Sequence, residues 1–402
     1  MNTHNNELIE LFKREIKLRM WLYNYYPIPE AIITKHKSKI WWKALSSNKN
    51  INWTPEFIKR NEDSFDWIDT MWKNPSLPIS IEFITNNKGK FNLSELSNNT
   101  GTHWDYDFIN EYKQEWNWHH LVINKSIQWT EKMFVDFDLF KHNLSYVNGP
   151  DLWTKEFILK YKDKFNWSHL CFNPHLPWSE ELIDKLKPVW KSFETKTTKW
   201  TVSPWKGISE NKAIPWSVNF IKKNLPVPIV KPYGLNWVGL SRNESLPWKN
   251  NIIGEFKNKW DWDLISINNG VGLTCEQIEK YNDKLRWQAT KLNTNTIADN
   301  TSLPWSEELI DKYFEKWHWE SLALNKGINW TDNMIKKYKG QIDYYHLFRN
   351  PSLLWSLDFI LKYEKQCHHS WQLHTEDFSY VIWEKAFAKL LTDELVDEII
   401  SN

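Results

Sequence analysis

The sequence predicts an all-α fold, a curved α-solenoid of about thirteen two-helix repeats of about 25 residues each, with helical end caps. Three observations predict it: regularly spaced tryptophans, residues that begin helices directly after them, and apolar positions at helical spacing. We take as anchor the residue before the Ser or Thr in segments such as 303–313. Ten of thirteen anchors are Trp, and the spacing is 24 to 26 residues except for three longer gaps of 38, 32 and 32. The anchors lie at positions 27, 53, 79, 104, 129, 153, 178, 216, 248, 273, 305, 330 and 355.

The residue after the anchor is predicted to begin the first helix of each unit. Side chains of Ser, Thr and Asp accept hydrogen bonds from the free backbone N–H groups of a first helical turn. Apolar residues then recur four, five, eight and twelve positions after the anchor, which predicts a helix of about three turns. Such capping residues occur in eleven units, at Thr54, Ser80, Asp105, Thr130, Thr154, Ser179, Ser217, Thr274, Ser306, Thr331 and Ser356.

A second, shorter helix is predicted to begin near a further Trp, fourteen positions after the anchor in most units. Its apolar side is a Trp-x-x-Leu pair such as Trp167 with Leu170. An Asn follows the pair, and we expect it to end the helix because Asn tolerates the left-handed backbone conformation. This Asn column comprises Asn48, Asn74, Asn99, Asn124, Asn173, Asn211, Asn243, Asn268, Asn293, Asn325 and Asn350.

The Asn column also raises an alternative fold, the horseshoe of leucine-rich repeats. That fold needs leucines two positions apart before its Asn. Here the apolar residues lie three apart, as in Trp42, Leu45, Asn48 and Ile51. Three-residue spacing favours helices over strands, so the α-solenoid is the preferred interpretation.

The dense tryptophans have two interpretations: a packed core, or platforms on which sugars or nucleobases stack. Both main Trp columns share the helical phase of Ile, Leu and Phe. We therefore expect core packing, with at least eight of the ten anchor Trp side chains buried and single exposed Trp residues as exceptions.

Charge argues against nucleic acid as a partner. The formal net charge is +1, which gives no long-range attraction for polyanions. Cations lie seven positions after many anchors, and six of them follow an acid by four residues, as Lys312 follows Glu308. Such pairs neutralise each other on a helix surface, so we expect a mostly neutral stripe.

No cofactor, metal site or catalytic residue is predicted. Histidines cluster at His119 and His120 and near the last unit, around Cys367, His368 and His369. Neither His-His pair presents both rings on one helix face, as a metal would require. Solvated or capping roles are the preferred interpretation.

The repeat is interrupted near 186–204, 226–235 and 294–302, and insertions in repeat proteins often carry function. The first two contain aromatic residues that we place outside the repeat columns. We expect them to face solvent around a common groove and to form a binding site. The candidate residues are Trp190, Lys191, Lys199, Trp200, Lys231 and Tyr233.

The domain organisation follows from the same pattern: an N-terminal cap helix in 1–26, the repeat array in 27–377 and a C-terminal cap helix in 378–402. Three widely spaced cysteines, a polar N-terminus and the lack of a long apolar stretch favour a cytoplasmic protein that does not enter membranes. We expect a monomer.

The segment LPWSEELIDKYFEKWHWESLALNKGINWT, residues 303–331, resembles Trp-rich tandem repeats of the type LPWSxELIxKYxxKWDWxxLSxN in uncharacterised bacterial proteins. The resemblance covers most of the chain and is weakest across 186–215. It implies no activity, substrate or catalytic residue.

The expected function is that of a non-catalytic scaffold, which binds an unidentified protein or peptide through a concave face and the central insertions. One alternative is an enzyme or small-ligand sensor with a pocket between the insertions. Another is a modular single-strand nucleic-acid binder, which the neutralised charge column disfavours.

Overall fold

The computed structural model of the chain describes residues 3–87, 89–149, 151–196, 202–225, 234–291, 294–366 and 376–401. These ranges contain helices and no strand, so the all-α prediction is confirmed. The α-helices are Thr3–Arg14, Ile16–Tyr25, Glu30–Lys35, Trp42–Ser46, Pro55–Arg60, Ile81–Asn86, Leu93–Leu96, Tyr106–Glu111, Trp118–Val122, Glu131–Asp136, Lys155–Lys160, Trp167–Leu170, Glu180–Lys196, Pro204–Glu210, Val218–Lys223, Trp237–Arg242, Ile252–Glu255, Trp262–Ile267, Cys275–Lys280, Glu307–Lys312, Trp319–Leu324, Asp332–Lys337, Tyr344–Leu347, Leu357–Lys362, Glu376–Ala386 and Asp393–Ser401. Short 3₁₀ helices span Met71–Lys73, Leu139–Lys141, Trp248–Asn250 and Ile297–Asp299.

The chain forms two compact units. The terminal unit contains residues 1–117 and 329–402, and the central unit contains residues 118–328. In the central unit, the second helices of successive repeats contact one another in chain order, as Trp167–Leu170, Pro204–Glu210, Trp237–Arg242 and Trp262–Ile267 do.

The first helices begin where capping chemistry predicts. All eleven capping side chains accept a hydrogen bond from the backbone N–H three residues later, and Gln277 completes a capping box with Thr274. Their length differs from the prediction, because most have six residues, as in Pro55–Arg60, rather than three turns.

The early helix end has a physical reason in the aromatic core. The ring twelve positions after the anchor packs back onto the anchor, with centroids 5.1 to 5.3 Å apart in four units, including the pair Trp104 and Trp116. Twelve residues of continuous helix would span about 18 Å. The chain therefore has to leave the helix and turn back for the two rings to meet.

The core-packing interpretation of the tryptophans is confirmed for the anchors. Eight of the ten anchor Trp side chains are buried, and only Trp216 and Trp305 are partly exposed. The aromatic residues twelve positions after a Trp anchor, such as Phe65 and Trp116, are buried as well. In the second Trp column the side chains of Trp118, Trp262 and Trp319 are partly exposed.

The Asn column has a different role from the one predicted. Its backbone is not left-handed: Asn243, for example, has φ −77° and ψ 112°. Instead, the Asn side chain links successive repeats. Asn243 Nδ2 donates to the main-chain oxygens of Ser209 (2.9 Å) and Asn211 (3.2 Å) of the preceding repeat, and its Oδ1 accepts from Ser245 N (2.9 Å). We call this set the Asn ladder; its inter-repeat bonds are made by Asn48, Asn74, Asn99, Asn173, Asn211, Asn243, Asn268, Asn300 and Asn325.

The main-chain oxygen of six ladder Asn residues has a second partner, the anchor indole of the same repeat. Asn211 O accepts both Trp216 Nε1 (3.0 Å) and Asn243 Nδ2 (3.2 Å). The loops that follow consecutive ladder residues also approach each other closely, because a Cβ added to Gly270 would lie 2.0 Å from the main-chain oxygen of Glu244 in the preceding repeat. A ladder position of this kind joins one aromatic core to the next repeat.

A second polar column consists of buried serines two positions before a ladder Asn. Each hydroxyl donates to a carbonyl one turn earlier in its own helix and accepts a backbone N–H from the following repeat. Ser241 Oγ, for example, donates to Trp237 O (2.7 Å) and accepts from Asp261 N (3.0 Å). The same pattern occurs at Ser46, Ser97, Ser209 and Ser266. The repeats are therefore joined by polar bonds as well as by apolar packing.

Most cations of the predicted column are paired, often with an acid other than the one predicted. Lys185 pairs with the acid four residues earlier, Glu181 (2.8 Å). Lys160 and Lys312 reach acids of the preceding repeat, at 2.7 Å and 3.1 Å, and Arg60 and Lys362 do the same. Neighbouring packed helices lie about 8–10 Å apart, which a long lysine side chain spans. The column is neutralised between repeats.

The two ends of the chain pack together inside the terminal unit. Each end forms two helices rather than the single cap helix predicted, because Glu15 has an extended backbone and Thr392 caps a new helix. Phe12 packs edge-on against Phe387, with ring centroids 5.5 Å apart, and Asp397 accepts from Lys35 and His36 at 2.6 and 2.8 Å. The terminal helices thus cover each other.

No helix in the described part of the chain has both the length and the apolar character needed to cross a bilayer.

Candidate functional site

Trp190, the central residue of the predicted insertion site, lies in the core. Its side chain is fully buried and its ring contacts Trp167, Trp178 and Trp205 at centroid distances of 5.9, 6.5 and 5.5 Å. The expectation that it faces solvent is wrong. Trp190 lies twelve positions after the anchor Trp178, so it belongs to the aromatic column that packs on the anchors.

The structure describes only one of the remaining candidates. Lys191 is exposed, while Lys199, Trp200, Lys231 and Tyr233 lie outside the described residues.

The third insertion also differs from the prediction. Residues 296–302 occupy regular repeat positions, because Asn300 joins the Asn ladder. Asn293 itself lies outside the described residues. The extra residues of this unit therefore precede Thr296 instead of following it.

The terminal unit contains a cavity of about 830 Å³ that sequence reasoning did not locate. Four segments line it: the helix Ile16–Tyr25, residues 41–49, residues 70–75 and residues 379–380. Five aromatic rings and three lysines are among the lining side chains, whereas none of the described lining residues is Asp or Glu. Its volume lies within the range of about 300–1,000 Å³ typical of small-molecule sites.

Trp41 is the aromatic platform of this cavity. One face of its indole stacks on Tyr23, with centroids 6.0 Å apart and planes 23° apart, and the side chain remains 37% exposed. Tyr23 is itself fixed, because it is buried and its hydroxyl donates to Lys39 O (3.2 Å); burial raises its pKa to about 12. The cavity thus has a rigid ring with one side free for a ligand.

The neighbouring Trp42 is partly exposed and ties this segment to the following repeat. Its ring packs edge-on against Phe65 of the following repeat at 5.3 Å, and its indole donates to Lys37 O (3.1 Å). Adjacent residues of a helix point in different directions, so only one ring of the pair is able to face the core fully. The Trp41–Trp42 doublet was the sequence signal that could have revealed the site.

Three lysines bring positive charge to the cavity. Lys43 is neutralised by Asp69 (2.6 Å) and Asp66 (3.3 Å), and the hydrogen bond to Asp69 is the main reason that its pKa is raised. Lys49 and Lys73 form no ion pair in the described part of the chain, although Lys73 is near enough to Asp69 to contribute to the lowered pKa of that carboxyl. Their ammonium groups lie over the rings of Tyr380 (4.9 Å) and Trp72 (5.0 Å).

The C-terminal segment completes the wall. Tyr380 contacts Tyr25 edge-on at 5.5 Å, and a hydrogen bond with Glu384 is the main reason that the pKa of the Tyr380 hydroxyl is raised. Asn24 and Ser47 add an amide and a hydroxyl, joined at 3.4 Å. The cavity therefore offers aromatic faces, two cations without an acid partner and several hydrogen-bonding groups.

The histidines and cysteines suggest no further chemistry. Among the described residues, no three or more His, Cys, Asp or Glu side chains are placed to hold a metal ion. Burial lowers the pKa values of His142 and His169, which favours their neutral forms, and burial raises the pKa of the Cys171 thiol. Cys275 is exposed, and Cys367 lies outside the described residues.

A scan of the sequence against models of known families gives no match, and searches of curated proteins and of solved structures give none either.

Proposed function

We propose that this chain is a non-catalytic binding protein, an α-solenoid of about thirteen repeats that holds an anionic ligand with a planar apolar part in the cavity of its terminal unit. One observation carries the proposal: Trp41 presents a fixed ring beside Lys49 and Lys73, which have no acid partners in the described structure. An anionic planar ligand satisfies both features of that wall.

This proposal replaces the central insertions as the location of the site. The protein- or peptide-binding role predicted there depended on Trp190, which is buried, and on residues outside the described ranges. The cavity, by contrast, has a described wall and a volume suited to a small molecule. The ligand-sensor alternative is supported in this changed position.

A dye that is both planar and anionic tests the proposal. Anilinonaphthalene sulfonate, titrated into the intact chain, is expected to occupy one saturable site with increased fluorescence. The variants Trp41→Ala and Lys49→Gln should weaken that binding. Trp262→Ala and Lys280→Gln are matched controls, because Trp262 also packs on a Tyr ring and the Lys280 ammonium also lies over one, away from the cavity.

The control variants should bind the dye like the unaltered chain. Equal binding by the cavity variants and the unaltered chain, at unchanged melting temperatures, would contradict the proposal. Dye bound only to partly unfolded protein would appear as binding that rises as the melting temperature falls.

A further inference from the structure

We infer that the ligand of this cavity is a nucleotide, with its base stacked on Trp41 and its phosphate held by Lys49 and Lys73. This inference rests on the proposed function and names the chemical class of the ligand. Three properties of the cavity carry it: a half-occupied aromatic stack, a pair of cations without acid partners, and the lack of a carboxylate on the described wall.

The first property is the stack of Tyr23 on Trp41. Tyr23 covers one face of the Trp41 indole nearly in parallel, at 23°, so a flat ring on the cavity side would extend a Tyr–Trp pair into a three-ring stack. Bases stack well on aromatic side chains because every base has a π-face. Loss of such a contact usually weakens binding about 5- to 150-fold.

The lysines of the cavity indicate that the ligand carries an anionic group. Lys43 is already paired with two aspartates, which leaves Lys49 and Lys73 for a ligand. A phosphate monoester carries about −1.5 to −2 charges near neutral pH. Two lysine ammonium groups match this charge, and each can turn its three N–H donors from an aromatic ring to phosphate oxygens.

The wall disfavours amino acids with a free ammonium group. An ammonium entering the cavity would meet lysines and no described Asp or Glu, which leaves the cation without an acid partner. A nucleotide lacks such a cation. The edge of its base carries donors and acceptors, and the polar side chains of Asn24, Ser47 and Thr70 lie on the wall.

Isothermal titration of the intact chain with adenosine monophosphate, adenosine and inorganic phosphate tests the inference. We expect the monophosphate to bind at one site and to displace the dye. Adenosine should bind at least about tenfold more weakly, because it lacks the charge-assisted bonds to the two lysines. Inorganic phosphate alone should not displace the dye, because it has no ring to stack.

Variants test the contact with the base and the contacts with the phosphate separately. Trp41→Ala should weaken both the monophosphate and adenosine, whereas the double variant Lys49→Gln/Lys73→Gln should weaken the monophosphate alone. The controls Trp262→Ala and Lys280→Gln should change neither. If Trp41→Ala reduces the melting temperature, the double lysine variant still decides, since both side chains are exposed.

The failure of this inference is distinguishable from failure of the proposed function. If a Glu-Trp-Glu tripeptide displaces the bound dye and adenosine monophosphate does not, the proposed function stands and the nucleotide inference is wrong. Equal affinities for adenosine and the monophosphate, or dye displacement by phosphate alone, would overturn it as well. A chain with no dye site at all would overturn both.

Discussion

Replacement of Asn243 by Ala should destabilise the central unit strongly, because this buried side chain makes three hydrogen bonds at once. Of the three partner atoms, Asn211 O keeps the indole of Trp216. Ser209 O and Ser245 N lose their Asn partner. A buried backbone group left without a partner costs about 1–3 kcal/mol. Ser209 is buried and Ser245 is exposed, so Ser209 O accounts for most of the loss, and we expect about 3 kcal/mol in total.

Asn148→Ala is the matched control. Asn148 also lies five positions before an anchor Trp, but it is partly exposed and its side chain accepts only from the adjacent Gly149 N (2.9 Å). We expect this change to cost less than about 1 kcal/mol. The two residues have the same type and the same distance from their anchors, and they differ in the ladder bonds.

Thermal unfolding followed by circular dichroism measures the difference. For a unit of roughly 200 residues, 1 kcal/mol corresponds to about 2–4 °C, so Asn243→Ala should lower the midpoint by about 6–12 °C. A shift below about 2 °C, or one equal to that of Asn148→Ala, would refute the argument that the Asn ladder holds the repeats together.

Three further predictions concern the core, the loops and pH. Trp190→Ala should cost about as much as Trp153→Ala, roughly 3–5 kcal/mol in chemical denaturation, whereas a surface residue would cost little. Gly270→Ala should lower the melting temperature, because the added Cβ would lie 2.0 Å from a main-chain oxygen, and Gly340→Ala, with nothing within 4 Å of its Cβ, should not. The pKa of Tyr23 is raised to about 12 from an ordinary 10.0, which gives a contribution to stability that is complete below pH 10 and is lost as pH rises toward 12. Between pH 9 and pH 11.5 the melting temperature of Tyr23→Phe should therefore fall less than that of the unaltered chain. An equal fall would contradict the assignment.

The sequence predicted helix starts better than helix ends, because capping is local chemistry. A hydroxyl such as that of Ser306 meets a backbone N–H three residues away, and both groups are visible in one short segment. The helix end depends on a contact between rings, as between Trp104 and Trp116. Periodicity showed that both positions are apolar, but it did not show that the chain turns back between them.

The Asn column and the cavity required contacts between distant residues. Spacing alone does not distinguish an Asn that ends its own helix from one that bonds to the preceding repeat, as Asn243 does. The Trp41–Trp42 doublet was visible in the sequence, yet Tyr380 joins it only because the chain ends pack together. Trp190 was assigned to an insertion although its distance from Trp178 fits the repeat.

The Asn ladder separates the length of a repeat from the way repeats join. Consecutive ladder residues are 25 or 26 positions apart in regular units, yet Asn211 bonds to Asn173 O across 38 positions and Asn300 to Asn268 O across 32, all at 3.0 to 3.2 Å. The added residues precede the second helix of a unit, and in the longer unit they include an extension of the first helix, Glu180–Lys196. New sequence can therefore enter at that point, by natural variation or by design, while the hydrogen bonds to both neighbouring repeats stay the same.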